Sequence, residues 1–231
     1  VRSEEISSSM TDSQTPVETF PITMIADFAC PWCRIGKANL DAAIAEWTGE
    51  PVDVTYLPYF LDPTLPAEGK NFREHLTQKF QGAPIEGMFE RVSEAGKPAG
   101  LEFRWDLVGK SPNTTLAHQL IYIAPDDAKG PLASAIYDAY FRDGKDITDL
   151  ATLLDLTAAH GLDRETIRQR LEAGEGATEV HSIARQVAQQ GVTGVPFFIF
   201  GNTLALNGAQ PPSITLDAMR QAADPVAAPA D

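Results

Sequence analysis

Cysteine is almost absent from this chain: Cys30 and Cys33 are the two in 231 residues. A single pair two residues apart cannot form a disulfide framework, which fits a reducing compartment or a catalytic pair, and a cytoplasmic location is expected. Long apolar runs are missing too. No stretch approaches the ~20 apolar residues that span a bilayer, so no membrane partner is expected. Basic charge is scarce, with 18 Lys and Arg against 32 Asp and Glu and a net charge of −14. That balance repels nucleic acid and anionic lipid, and points instead to a neutral or basic ligand or another protein. No fixed repeat period runs through the sequence, which excludes a solenoid. The first twenty residues lack a basic stretch followed by an apolar one, so no secretory signal is visible, although an exported chain already trimmed of its signal would look the same. Val1–Ser9 reads as a foreign leader, with Met10-Thr11-Asp12 as the natural start and nothing functional before about Val17.

What is present divides by pattern. Pro21 to Phe28 reads as a central strand, Pro31 to Trp47 as a helix with Leu40, Ile44 and Trp47 on one face, and Val52 to Phe60 as a second strand. Thr48-Gly49-Glu50-Pro51 closes the helix. Strand, helix and strand make a βαβ unit with a parallel pairing and a right-handed crossover. Seven helical patterns follow: Phe72 to Gly82, Ile85 to Gly96, Thr114 to Ile123, Leu132 to Asp143, Asp149 to His160, Asp163 to Glu172 and Thr178 to Gln190. Gly, Pro, Asn or Asp breakers separate them. Strand character returns at Val195 to Phe200 and Thr203 to Leu206, a hairpin about Gly201-Asn202. A last helix is capped by Ser213 and runs to about Ala223. The expected architecture is α/β, a thioredoxin fold with a large all-helical insertion. Residues 21–68 and 191–223 would form the discontinuous thioredoxin-like domain and 69–190 the insertion. Residues 1–20 are an expected disordered or foreign leader, and 224–231 an Ala/Pro-rich disordered tail.

The chemistry concentrates at Cys30-Pro31-Trp32-Cys33. Cys30 falls where the first strand gives way to a helix, and the free N–H groups and positive dipole end of a helix start stabilise a thiolate. A zinc site would need two more ligands, yet the four histidines, His75, His118, His160 and His181, stand singly. A redox pair needs nothing further. Cys30 is then the attacking thiol and Cys33, one turn inside, resolves the mixed disulfide. Pro31 suits the first helical turn, where its missing N–H costs nothing. Trp32 either contacts substrate or merely packs. Asp27, three residues before the nucleophile, either assists proton transfer at Cys33 or hydrogen-bonds the turn. Arg34 either favours the thiolate or is a solvated side chain. Far downstream, Gly191-Val192-Thr193-Gly194-Val195-Pro196 precedes an apolar strand, and a proline there marks a strand entry, an edge or a bend.

Asp27-Phe28-Ala29-Cys30-Pro31-Trp32-Cys33 with Gly36-Lys37, Ser111-Pro112-Asn113-Thr114 with Ala117-His118, the Val195-Pro196 stretch and Gly208-Ala209-Gln210-Pro211 occur in that order. Together they resemble the DsbA-like thiol oxidoreductases of the FrnE type. That family also holds the 2-hydroxychromene-2-carboxylate isomerases and kappa-class glutathione transferases, and the resemblance covers roughly Ile22 to Ala222. It implies dithiol–disulfide exchange with protein, peptide or small-thiol substrates, no required cofactor, and glutathione as a redox partner. It implies a cis Val195–Pro196 bond beside the cysteines, with Val195 backbone pairing to an extended substrate. Asn113 would lie near the bound ligand, or else cap its helix; for His118 core packing is the preferred reading over a polar contact. Isomerases and kappa transferases carry serine where Cys30 stands, so this chain departs from them at the nucleophile. A glutathione-dependent isomerase or transferase and a non-enzymatic redox-sensing or chaperone-like module are the alternatives. Oligomeric state stays open, a homodimer included.

Overall fold

A computed structural model describes residues 18–224. The expected leader and tail therefore lie outside the described residues, apart from the few positions at their inner ends. Four strands form one sheet in the order β2-β1-β5-β6. β1 (Phe20–Ala26) pairs parallel with β2 (Val52–Pro58), antiparallel with β5 (Phe197–Phe200), and β5 pairs antiparallel with β6 (Leu204–Asn207). β1 is the central strand, and Ile22 and Met24 through Ala26 are buried, because α-helices cover both faces and leave no polar side to alternate with. This is the thioredoxin fold, with helices inserted between β2 and β5.

α1 (Pro31–Ala45) is enclosed on nearly every side, burying Cys33 to Lys37, Asn39, Leu40 and Ala43. It packs on α9 (Pro212–Ala223), on the sheet and on the inserted helices. Gly36 is what permits the closest of these approaches. A β-carbon there would lie 2.8 Å from Cγ of Pro196 and 3.2 Å from Cζ of Phe198.

The inserted segment holds α2 (Phe72–Lys79), α3 (Glu86–Gly96), α4 (Thr115–Ile123), α5 (Asp126–Phe141), α6 (Leu150–Ala159), α7 (Arg164–Glu172) and α8 (Ala177–Gln189). It is not all-helical. A two-residue antiparallel ribbon joins β3 (Lys70–Asn71) to β4 (Lys110–Ser111), too short to leave an alternating pattern in the sequence. Between its arms stand α2 and α3 over a cluster of stacked rings, with Phe89 and Trp105 centroids 4.5 Å apart and Phe72, Phe103 and Phe141 around them.

Two other boundaries differ from the sequence reading. α5 starts six residues before the expected Leu132, running through Gly130 and an exposed Pro131. Asp126 and Asp127 in its first turn favour that early start through the helix dipole. Ser213 does not cap α9: Pro211 occupies the cap position and Pro212 the first turn, where a fixed φ and a missing N–H are both harmless.

Candidate active site

β1 ends at Ala26, and the chain reverses through Asp27 to Ala29, closed by the Cys30 N–H donating to the Asp27 carbonyl at 3.0 Å. Cys30 is the N-cap of α1, with extended backbone (φ −95°, ψ 113°). Its carbonyl already accepts from the N–H groups of Cys33 and Arg34, while Pro31 has none to offer. Cys30 thus stands at the positive end of the helix. Cys33, one turn on, approaches Cys30 to 3.4 Å, and both are free thiols.

Burial separates the two. Cys33 has no exposed surface and Cys30 retains 4%, so the nucleophile expected to be accessible is itself nearly enclosed. Burial pushes the Cys33 thiol well up, and its hydrogen bond to Cys30 adds to the rise. Cys33 is thus held protonated at neutral pH.

The second wall comes from residue 195. The Cys30 thiol donates to the Val195 carbonyl at 3.7 Å, and the Val195–Pro196 peptide bond is cis. Gly36 on α1 holds this proline against the cysteine helix.

Asp27 is buried to 2% exposure, yet its carboxylate is well provided for. Oδ2 accepts from the Leu61 N–H at 2.7 Å, and Oδ1 from the Thr114 hydroxyl at 2.7 Å and the Ala29 N–H at 3.2 Å. Asp27 braces the turn through the Ala29 N–H, and its electrostatic effect helps to raise the Cys33 thiol. Thr114 and Tyr137, whose hydroxyl donates to the Asp27 carbonyl at 3.3 Å, bring the inserted segment onto the cysteine turn. Thr114 stands in the Ser111–Thr114 motif quoted above, though without a role of its own, and nothing local to Tyr137 marks it.

His118 packs between Phe28 and Phe60, with ring centroids 5.0 and 5.1 Å away. It also makes polar contact, with Nε2 3.2 Å from the Tyr59 carbonyl and 3.6 Å from Asp27 Oδ1. Arg34 follows neither expectation. It is 4% exposed, donates to the Glu102 carbonyl and to Asp138 Oδ1 at 2.8 Å, and lies over the Phe103 ring, so it locks α1 to the insertion instead of steering the thiol. Burial lowers its hold on the proton and Asp138 opposes this.

A cavity of about 560 Å³ opens over Cys30. Cys30, Pro31, Trp32, Asp27 and Val195 line it from the thioredoxin side, and α2, α3, Trp105, Ser111 and Thr114 from the insertion. Trp32 is half-buried and both packs against the core and faces this space. Asn113 does not reach it. Its Nδ2 donates to the Leu65 carbonyl at 2.8 Å and its Oδ1 accepts from the Thr115 N–H at 3.0 Å, which consumes the amide in bracing the start of α4.

No helix among the described residues is long and apolar enough to cross a membrane. Comparison with known proteins agrees with this geometry. The model of the DSBA-like thioredoxin domain matches residues 22–220. A probable DsbA oxidoreductase from Streptomyces coelicolor superposes with a TM-score of 0.77 at 28% identity, covering 92% of this chain and 93% of its own. The Bacillus subtilis (strain 168) protein YwbO, uncharacterised, is 26% identical over 188 residues, 80% of this chain and 89% of its own. Fold alone is shared with a 2-hydroxychromene-2-carboxylate isomerase (TM-score 0.66, 13% identity, 90% of this chain and 98% of that one). The same holds for the cytosolic disulfide reductase DsbM of Pseudomonas aeruginosa with GSH (TM-score 0.62, 20% identity, 87% and 98%). With a match across 22–220, the chain belongs to the DsbA-like thioredoxin-domain family.

Proposed function

We infer that this chain is a dithiol–disulfide oxidoreductase of the FrnE type, exchanging disulfides through Cys30 and Cys33. The observation that carries the reading is the pair itself: an N-cap thiol 3.4 Å from a wholly buried second thiol, under the Val195 carbonyl. As a reductase cycle, the Cys30 thiolate attacks one sulfur of a substrate disulfide, forming a mixed disulfide and releasing the other sulfur as thiolate. The Cys33 thiol then loses its proton and attacks Cys30 Sγ. The second substrate thiolate leaves, the protons end on the two substrate thiols, and the protein holds a Cys30–Cys33 disulfide. Run backwards, the same steps oxidise a dithiol. We assign to Asp27, whose charge already acts on Cys33, the uptake of that thiol's proton during resolution. The Val195 backbone, beside the cis proline, is the edge against which an extended substrate lies, and Trp32 borders it.

No metal or cofactor enters this chemistry; glutathione serves as a redox partner. DsbM, similar in fold and described as cytosolic and with GSH, supports a cytosolic setting with a thiol pool as the electron source. The isomerase sharing the fold supports glutathione-dependent isomerisation less well, because cysteine occupies both positions of the pair here.

The test is a glutathione redox titration read by mass spectrometry, with Cys33→Ala as the trapping variant. A two-electron transition in the native chain and an accumulating glutathione adduct on Cys30 in the variant are expected. A Cys30 that resists both oxidant and alkylating agent in the folded protein refutes the reading.

A further inference from the structure

A second cavity, of about 270 Å³, lies where β2 meets α4, α5 and α8. It shares no lining residue with the cavity over Cys30. Met24, Phe28, Leu57, Ile121, Val180 and Ile183 make most of its wall apolar. The charged side chains there are Asp53, Asp126 and Lys129, of which the last two pair with each other. A cavity of about 150 Å³ lined by aliphatic and aromatic side chains stays dry and takes benzene, so this one has room for a fused bicycle.

His118 brings a polar demand to this wall. It lines the cavity and is 6% exposed. Both groups near its Nε2 are acceptors, the Tyr59 carbonyl at 3.2 Å and Asp27 Oδ1 at 3.6 Å, so in the neutral ring Nε2 carries the proton. Nδ1 then holds a lone pair, and among the described residues it has no hydrogen-bond partner. His75 differs: its Nδ1 is also unpaired but wholly sealed, whereas His118 Nδ1 keeps accessible surface. Because His118 borders this cavity and not the one over Cys30, an incoming donor reaches Nδ1 from here.

Water meets that demand poorly. A molecule bonded to Nδ1 would turn its remaining hydrogen-bonding capacity toward apolar side chains. An aromatic ring system carrying one N–H or O–H fits better, since it fills the apolar volume and spends its single donor on His118. Phe28, Tyr122 and Tyr137 offer it rings to pack against. A carboxylate on the ligand is disfavoured by Asp53 in the wall and by the net charge of −14.

We propose that this cavity binds a small neutral bicyclic aromatic, of the indole or naphthol class, whose single N–H or O–H donates to His118 Nδ1. The site is separate from the cysteine pair and does not rest on the exchange reading.

The test is titration calorimetry of the reduced full chain with indole and with 1-methylindole, which has the same rings and no donor. One equivalent of indole should bind, about tenfold more tightly than 1-methylindole. Ile183→Trp, which puts a large ring into the cavity from a half-buried position, should weaken indole about tenfold or more. His118→Phe should erase the difference between the two compounds; should that variant fail to fold, the other two comparisons decide alone. No saturable binding at millimolar indole, equal affinity for the two compounds, or indifference to Ile183→Trp overturns the site. A preference for indole that persists in His118→Phe overturns it as well. Indole that shields Cys30 from alkylation has entered the other cavity, which also overturns the assignment.

Discussion

Thr114 is the point at which the inserted segment touches the chemistry, and removing its hydroxyl is the most informative single perturbation. It is 3% exposed, and its Oγ1 donates to Asp27 Oδ1 at 2.7 Å across 87 residues of chain. Thr114→Val keeps the branched shape and deletes that donor. A hydrogen bond to a charged group contributes ~1.5–3 kcal/mol, and Asp27 keeps the Leu61 and Ala29 N–H groups, so the lower half of that range, about 2 kcal/mol, is expected. For a chain of this size that is a fall of about 4–8 °C in Tm. Urea denaturation of the reduced protein at pH 7 measures it directly. Thr114→Ser should restore most of the loss, and in an Asp27→Asn background Thr114→Val should cost less than half as much, since the partner charge is gone. A loss below ~0.5 kcal/mol, or one unchanged by Asp27→Asn, refutes the claim that this bond couples the insertion to the cysteine turn.

Gly36→Ala puts a methyl 2.8 Å from the Pro196 ring and should destabilise by ~1–3 kcal/mol, with a matching loss of exchange rate as the Val195 wall is displaced; chemical denaturation and single-turnover kinetics report the two effects. Because burial raises the Cys33 thiol in the folded state, the unfolded chain releases that proton first as pH rises past the ordinary thiol value of 9.0. The reduced protein should therefore keep this contribution below that value and lose it as pH climbs toward the folded value, a trend in Tm that Cys33→Ala abolishes. Arg34→Ala should cost ~2–4 kcal/mol in urea denaturation, through the lost cover on Phe103 and the lost bond to Glu102, with Asp138 still paired to Arg142. The alkylation rate of Cys30 should change little, since this guanidinium points away from the thiol.

The thioredoxin-like elements were legible in the sequence because each carries a short-range signal. β1 and β2 are apolar runs, α1 begins on a proline, and the hairpin turns at Gly201-Asn202, where Asn202 indeed takes a positive φ of 59°. The cysteine pair was legible for the same reason, whereas its nearness to Val195, across 165 residues, was expected only from the family resemblance. Arg34 was misread because its fate depends on Asp138 and Glu102, contacts made across 104 and 68 residues that no local pattern announces. Asn113 was read as near the ligand or as a helix cap; its Oδ1 accepts from the Thr115 N–H at the start of α4, as a cap would, and no local signal announced Leu65, 48 residues upstream, as the partner of its Nδ2. The β3–β4 ribbon escaped because two residues cannot show alternation. His75 left no mark at all, since its unpaired nitrogen exists only once Asp62 and the α2–α3 pair are assembled around it.

Cys30 and the Val195 carbonyl are neighbours separated by 165 residues of chain. On a ribosome adding about 5–20 residues per second, the dithiol emerges roughly 8–33 s before that partner is made. Through that interval the strand that will flank β1 is missing, and the thiol has no roof. A nascent chain is thus open to stray oxidation or to mixed disulfides with passing thiols, and the last strands to be synthesised are the ones that close the window.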